Sequence, residues 1–154
     1  IRNPNINYIG IEKYDSVIVR ALEKVNEEQI PNLRFLRLDA TNIDEIFNKE
    51  VAIIYLNFSD PWPKDRHAKR RLTSPIFLQK YEKIFKNEKI IEMKTDNINL
   101  FDFSLESLSN YGYNIVYKTN NLDCLDKDNI MTEYEKKFSE KGMRIYYVKV
   151  VKTN

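Results

Sequence analysis

The chain has 154 residues, of which 42% are hydrophobic and 31% charged, a composition that supports one substantial core and excludes a disordered tail. Its 25 basic and 23 acidic residues leave a formal net charge of +2, so any affinity for a polyanion must come from local clusters of basic side chains. The length is that of one domain, and we expect residues 1–154 to form a single domain.

The cysteine content and the hydropathy indicate the compartment. Cys124 is the only cysteine, which excludes an internal disulfide. The sequence shows neither a signal peptide nor an apolar run long enough to cross a bilayer. We therefore expect a cytoplasmic protein with no membrane partner, and no feature of the sequence predicts an oligomeric state.

Short β-branched runs alternate with amphipathic stretches along the chain, which is typical of an α/β sheet covered by helices. The first part is predicted to contain strands at residues 8–11, 33–38 and 51–58, a helix that begins at Asp15 or Ser16 and ends before Pro31, and a helical turn at residues 43–47. Residues 51–58 are the most apolar strand, and we expect them near the centre of the sheet.

The second part begins with a loop at residues 59–73. A helix follows that Ser74 opens, with Pro75 at its first position and Phe85 at the end of its core face. Further on, the pattern predicts strands at residues 89–94, 113–118 and 144–151, helices at residues 98–108 and 132–141, and a polar loop at residues 120–129.

Carboxylates follow several of the predicted strands, at Glu12, Asp39, Asp60 and Asp96. In open α/β sheets, ligands bind outside the carboxyl ends of the strands, where an acidic side chain accepts hydrogen bonds from ribose hydroxyls. The alternative for each residue is a structural role, because Asp favours turns and caps the helix that follows. Their recurrence at four strand ends favours a ligand site.

The glycine-rich loop that usually precedes such a site is not found in the sequence. The nucleotide-binding fingerprint places its acidic residue roughly 20 residues after the loop, whereas 11 residues precede Glu12 and Gly10 is the only glycine among them. We therefore expect a first strand, its loop and its helix to be missing, so that residues 1–154 are an N-terminally truncated domain.

The loop after the third predicted strand is the most specific part of the sequence. Pro61 and Pro63 flank Trp62 and stiffen the chain directly after Asp60. Five cations then occur within eight residues, a density that favours contact with nucleic-acid phosphates: Lys64, Arg66, Lys69, Arg70 and Arg71. A charge run of this kind is equally compatible with a solvated face. His67 has no histidine or cysteine nearby, so we expect no metal site there.

This loop resembles that of the bacterial single-chain tRNA (guanine-N7-)-methyltransferases. The family's signature stands here as Asp60-Pro61-Trp62-Pro63-Lys64, Arg66-His67 and Lys69-Arg70-Arg71. Further matches occur in the family's order and cover nearly the whole chain, at residues 8–12, 32–36, 39–40, 95–96 and 132–135 and at Gly142. Such a combination is far more specific than a lone nucleotide motif.

The resemblance implies a Rossmann-like class I methyltransferase sheet, mostly parallel with an antiparallel last strand, and the cofactor S-adenosylmethionine. The implied substrate is the variable-loop guanine of tRNA, and Asp60 matches the proposed active-site residue. Positions that match cofactor contacts are Glu12, Asp39, Ala40 and Asp60. Positions that match substrate contacts are Lys64, Asp96, Thr132, Glu133, Tyr134 and Glu135, and the RNA-contacting loop corresponds to Arg66, His67, Lys69, Arg70 and Arg71.

Two other functions remain open at this point. Methyltransferases that modify exocyclic amines of adenine or cytosine also place an acidic or amide residue and a proline at the end of this strand. Their order is proline-proline-aromatic, whereas Trp62 separates Pro61 from Pro63 here. The second alternative is a non-catalytic RNA-binding module.

Overall fold

The computed structural model describes residues 3–122 and 129–153. Residues 123–128 of the predicted polar loop, which include Cys124, lie outside the described residues. The chain divides into two compact units, Ile1–Ile46 and Phe47–Asn154. Within the described residues, no helix has both the length and the apolar character needed to cross a membrane.

The first unit is a strand–helix–strand unit. Strands β1 (Tyr8–Glu12) and β2 (Leu33–Arg37) are parallel, with Tyr8 opposite Leu33 and Glu12 opposite Arg37. Helix α1 (Asp15–Glu28) connects them, and Gln29 ends it in the left-handed conformation. A 3₁₀ turn (Ala40–Asn42) and the short helix α2 (Ile43–Ile46) follow β2. Parallel pairing brings the carboxyl ends of both strands to one edge.

The second unit is built on a four-stranded sheet in the order β3-β4-β6-β5. Its strands are β3 (Val51–Asn57), β4 (Phe85–Thr95), β5 (Asn114–Thr119) and β6 (Tyr146–Lys152). Strands β3 and β4 are parallel, whereas β6 runs antiparallel to both β4 and β5. The predicted antiparallel last strand is therefore confirmed.

Three helices accompany this sheet: α3 (Pro75–Ile84), α4 (Ile98–Asn110) and α5 (Glu133–Ser139). Ser74 occupies the N-cap position of α3 with Pro75 at the first position, as predicted. Asn97 caps α4, since its Oδ1 accepts a hydrogen bond from the Leu100 N–H at 2.9 Å. The core consists of apolar side chains that are almost wholly inaccessible, among them Leu78, Ile84, Ile91, Met93, Leu100, Leu108, Ile145, Val148 and Val150.

One predicted position and one predicted boundary are wrong. Residues 51–58 are expected near the centre of the sheet, but β3 is an end strand of the four-stranded sheet, because the other three strands lie on one side of it. Phe85 does not end the core face of α3, because the helix stops at Ile84 and Phe85 is the first residue of β4. The cause is pairing at a distance: Val51 of β3 pairs with Phe85, and an irregularity then shifts the register before Ile53 pairs with Ile90. An amphipathic pattern cannot show where a partner strand draws the chain out of a helix.

Candidate functional site

Two of the predicted cofactor residues lie at the carboxyl ends of the strands of the first unit, Glu12 as the last residue of β1 and Asp39 just after β2. The Glu12 Oε1 accepts hydrogen bonds from the Lys13 and Tyr14 N–H groups at 2.8 and 2.9 Å. The Asp39 Oδ1 accepts from the Thr41 N–H at 3.0 Å and from the Thr41 hydroxyl at 2.9 Å, while Oδ2 lies 3.5 Å from the Lys13 Nζ. Asp39 therefore caps the 3₁₀ turn that begins at Ala40, and both carboxylates are held in fixed orientations.

The charge state of Asp39 follows from these contacts. The hydrogen bond from the Thr41 backbone, then the Thr41 hydroxyl and the Lys13 ammonium group, hold the pKa of Asp39 below its ordinary value. No hydrogen bond from residues 3–122 or 129–153 reaches the second oxygen of Glu12. Two carboxylates at the carboxyl ends of neighbouring parallel strands fit the ribose hydroxyls of a nucleoside cofactor, since hydroxyls donate and carboxylates accept.

Asp60 lies in a loop whose backbone is unusual on both sides of it. Phe58 and Trp62 have φ values of +51° and +45°, in the left-handed region that residues with side chains rarely adopt. Such conformations cost on the order of 1–3 kcal/mol each and persist only where the surroundings impose them. The Asp60 side chain itself is exposed at the end of β3. The loop therefore presents a carboxylate from a strained, well-fixed backbone.

Arg71 supplies much of that support from inside the protein. It is only 8% exposed, and its Nε and Nη2 donate to the Trp62 carbonyl oxygen at 3.3 and 3.0 Å. Nε also donates to the Pro61 carbonyl oxygen at 3.2 Å, and the guanidinium carbon lies 4.4 Å from the Phe103 ring centroid. Although its position matches the RNA-contacting loop, its guanidinium group fixes the conformation of Pro61 and Trp62.

The other predicted cations are exposed. Residues Asp65–Arg70 form a 3₁₀ helix, and the exposed basic residues are Lys64, Arg66, Lys69 and Arg70. The guanidinium carbon of Arg70 lies 4.9 Å from the Trp62 ring centroid, within cation–π distance. His67 meets the same indole edge-on, with 5.8 Å between ring centroids. This surface, which we call the cationic turn (residues 64–70), is thus ordered around Trp62.

A buried polar network anchors the chain directly after the cationic turn. The Thr73 and Ser104 hydroxyl oxygens are 2.7 Å apart, and the Ser107 hydroxyl donates to the Thr73 carbonyl oxygen at 2.6 Å. The Tyr81 hydroxyl donates to the Leu72 carbonyl oxygen at 2.9 Å, and burial raises the pKa of Tyr81. Helices α3 and α4 thereby fix the C-terminal end of the loop, a contribution that the sequence pattern did not predict.

The end of β4 brings two predicted substrate residues together. The Tyr134 hydroxyl donates to the Asp96 Oδ2 at 3.2 Å, and the Tyr134 ring lies 4.6 Å from that of Phe58, centroid to centroid. Burial and then the Asp96 charge raise the pKa of Tyr134, so the phenol keeps its proton as the donor. Helix α5 therefore places an aromatic residue beside the carboxyl ends of β3 and β4.

Thr132 and Glu135 form a capping box at the start of α5. The Glu135 N–H donates to the Thr132 hydroxyl at 3.0 Å, and the Thr132 N–H donates to the Glu135 Oε2 at 3.3 Å. Glu135 is only 1% exposed and pairs with Lys94, whereas Glu133 is exposed. The sequence analysis did not identify Lys94 as a partner of Glu135. The capping box itself could have been predicted, because a threonine followed three residues later by a glutamate is a recognisable signal of a helix start.

The predicted site residues thus fall into local groups. Asp96 and Tyr134 are joined directly, Thr132 and Glu135 share the capping box, and the exposed cations surround Trp62. Among residues 3–122 and 129–153, no three histidine, cysteine or acidic side chains are grouped as metal ligands would be.

Comparison with known proteins shows the family. A family model described as "Putative methyltransferase" matches residues 1–148. The chain is 56% identical over 149 residues to the tRNA (guanine-N(7)-)-methyltransferase of Lysinibacillus sphaericus, covering 95% of this chain and 69% of the relative. It is 53% identical over 150 residues to the protein of the same name from Bacillus cytotoxicus, covering 95% of this chain and 68% of the relative.

A solved structure gives the same fold. The SAM-dependent methyltransferase from Aquifex aeolicus is similar with a TM-score of 0.61 at 14% identity, over 94% of this chain and 68% of that structure. The predicted class I methyltransferase fold is thereby confirmed. Together with the match over residues 1–148 and the identities above 50%, it shows that this chain belongs to the tRNA (guanine-N7-)-methyltransferase family.

Proposed function

We propose that the protein transfers a methyl group from S-adenosylmethionine to N7 of a guanine in the variable loop of tRNA. The names of its relatives support this reaction. The structural observation that carries it is the loop after β3, where an exposed Asp60 stands between two left-handed residues and directly before the cationic turn. Because tRNA functions in the cytoplasm, the proposal includes a cytoplasmic location.

Glu12, Asp39 and Ala40 are the proposed cofactor contacts in the first unit. The Glu12 and Asp39 carboxylates, held by backbone N–H groups, would accept hydrogen bonds from the ribose hydroxyls. When bound, S-adenosylmethionine supplies an electrophilic methyl group on a sulfonium sulfur. The low pKa of Asp39 keeps its carboxylate ionised at neutral pH, as an acceptor role requires.

Guanine N7 carries an in-plane lone pair and no hydrogen, so its methylation needs no base to remove a proton. The enzyme must mainly orient the base, and alignment contributes up to about 7–11 kcal/mol in well-organised cases. Asp60 and Asp96 are the proposed acceptors for the N–H edge of the guanine, and their charges stabilise the positive charge that spreads onto the ring. Tyr134 keeps Asp96 oriented through its hydroxyl.

The remaining residues bind the RNA. Exposed cations of the cationic turn contact phosphates, which accounts for sequence-independent affinity: Lys64, Arg66, Lys69 and Arg70, with His67 as a polar contact. A base that is handled in this way must leave its stack, and exposed aromatic rings can receive it. The half-buried Trp62 and the exposed Tyr134 are the proposed stacking surfaces. Thr132 and Glu133, which directly precede Tyr134, are further proposed substrate contacts.

Methyl transfer to tRNA tests the proposal directly. The protein is incubated with radiolabelled S-adenosylmethionine and bulk tRNA, and the product is cleaved by chemistry specific for N7-methylguanine. We expect the label at N7-methylguanine. The Asp60→Ala variant should fold normally but have no activity, whereas the matched Asp65→Ala variant should retain activity. Label on an exocyclic amine, tRNA binding without label, or near-normal turnover by Asp60→Ala would each contradict it.

A further inference from the structure

A largely buried lysine side chain, that of Lys94, lies one residue before the end of β4. The Lys94 side chain is 12% exposed and that of its partner Glu135 only 2%, although lysine and glutamate rarely lie inside a protein unless paired. The Lys94 Nζ donates to the Glu135 Oε2 at 2.9 Å, to the Ile130 carbonyl oxygen at 2.9 Å and to the Asn129 Oδ1 at 2.5 Å. All three ammonium hydrogens are therefore used.

Both oxygens of the Glu135 carboxylate also accept hydrogen bonds. Its Oε1 accepts from the Asn129 amide at 2.6 Å, and its Oε2 accepts from Lys94 and from the Thr132 N–H. A fully satisfied polar network of this kind specifies one arrangement of the segments that it joins. Removing either charge alone leaves the other buried without a partner, which is far more costly than removing both.

The network fixes the position of Tyr134. Lys94 and Asp96 are two residues apart at the end of β4, and Glu135 directly follows Tyr134 on α5. One bond ties Glu135 to Lys94 while a second ties Tyr134 to Asp96, so the two contacts hold α5 at the carboxyl end of β4. The ring of Tyr134 then lies against Phe58 at the end of β3.

We propose that Lys94 is a positioning residue for the target base: its ion pair with Glu135 docks the first turn of α5 so that Tyr134 meets Asp96. Glu135 accordingly acts within the protein rather than by touching tRNA. The docking is a statement about structure alone, whereas its effect on tRNA rests on the proposed function.

Hydrogen exchange tests the docking without reference to activity. In Lys94→Met, we expect amides of residues 133–139 to exchange about tenfold faster or more, because an unpaired Glu135 favours opening of α5. The matched control is Lys149→Met, which breaks the pair between Lys149 on β6 and Glu92 on β4, whose atoms are 3.2 Å apart and whose side chains are 37% and 19% exposed. In that variant the amides of residues 133–139 should exchange like those of the wild type, because this pair is more exposed than that of Lys94 and Glu135 and contributes less to stability.

Steady-state kinetics separates positioning from simple instability. We expect Lys94→Met to raise the KM for tRNA about tenfold while the KM for S-adenosylmethionine stays unchanged. An unstable enzyme would instead lose active molecules, which lowers kcat without changing KM. The double variant Lys94→Met/Glu135→Gln removes both charges and leaves neither unpaired. The amides of residues 133–139 should therefore exchange more slowly in it than the sum of the effects of Lys94→Met and Glu135→Gln would predict.

Three results would decide against the proposal or its premise. Wild-type exchange and KM in Lys94→Met would overturn the docking role. Loss of tRNA binding in Glu135→Gln with exchange unchanged would show that Glu135 contacts tRNA directly. Faster exchange in Lys94→Met, combined with a wild-type protein that methylates no tRNA, would support the docking and overturn the proposed function.

Discussion

Arginines only five positions apart in the sequence can have opposite roles, as Arg66 and Arg71 show. Arg71 is buried and donates three hydrogen bonds to the carbonyl oxygens of Pro61 and Trp62, whereas Arg66 is exposed. Two of those hydrogen bonds converge on Trp62, whose left-handed backbone needs external support. Arg71 therefore acts through the planar fork of its guanidinium group, which reaches the carbonyl oxygens of both Pro61 and Trp62.

Substitution of Arg71 should mainly lower the stability of the fold, rather than the affinity for tRNA. We expect Arg71→Met to reduce the free energy of unfolding by about 2–3 kcal/mol, because hydrogen bonds from a charged, buried donor are lost. Arg71→Lys should recover little of this, since an ammonium group lacks the fork. Arg66→Met is the control and should change stability by less than about 0.5 kcal/mol. Urea unfolding measures both, and equal stability of the two variants would contradict the assigned role.

At the scale of elements, the cationic turn concentrates exposed positive charge, although the chain as a whole is almost neutral. The net charge is only +2, yet Lys64, Arg66, Lys69 and Arg70 lie within seven residues. The buried network of Thr73 and Ser104 anchors the chain just beyond them. A fixed cluster of cations binds a polyanion with a smaller loss of conformational entropy than a mobile one.

Salt dependence should distinguish this cluster from an ordinary solvated face. Each phosphate contact contributes about 0.7–0.9 to the slope of log K against log salt concentration. We expect the triple variant Arg66→Ala/Lys69→Ala/Arg70→Ala to bind tRNA more weakly with a slope smaller by about 2–3. The control Lys80→Ala/Lys83→Ala/Lys86→Ala removes the same charge from α3 and the start of β4 and should leave the slope nearly unchanged. Fluorescence titration at several salt concentrations measures the slope for both variants. An unchanged slope in the first variant would show that the cationic turn is an ordinary solvated face that does not contact phosphates.

The sequence predicts the secondary-structure elements better than it predicts the contacts between residues that are distant in the chain. Local periodicity located each strand of the described residues and the helices α1, α3, α4 and α5, although β4 begins at Phe85 rather than at residue 89. Ser74-Pro75 marked the start of α3 correctly. The end of α3 was missed because Phe85 pairs with Val51, 34 positions earlier. The roles of Arg71 and Lys94 were missed for the same reason, since each depends on partners that only the folded chain brings near.

At the scale of the whole molecule, the proposed roles are divided between the two compact units. Glu12 and Asp39, the proposed ribose acceptors, belong to Ile1–Ile46, whereas the cationic turn, Asp96 and Tyr134 belong to Phe47–Asn154. Each group is held by hydrogen bonds within its own unit. Binding of cofactor and binding of tRNA should therefore respond to different substitutions.

Asp39→Asn tests this division and has a definite pH signature. Asparagine is as good an N-cap as aspartate, so the 3₁₀ turn should persist while the ionised acceptor is lost. We expect S-adenosylmethionine to bind about tenfold more weakly, which corresponds to about 1.4 kcal/mol, and tRNA to bind unchanged. Isothermal titration calorimetry measures the two affinities separately, and an equal loss of both would contradict the division.

The pH dependence follows from the sign of the Asp39 shift. Its pKa is lowered in the folded protein, so the folded state favours the carboxylate; that contribution to stability is present above the unfolded value of about 3.9 and is lost as the pH falls through the folded pKa. The contribution of Asp39 to cofactor affinity should therefore stay constant from about pH 8 to pH 5. Since asparagine does not titrate, the ratio of wild-type to Asp39→Asn affinity should also be constant across this range. A ratio that falls towards one between pH 6 and pH 5 would show that Asp39 takes up a proton there and would refute the lowered pKa.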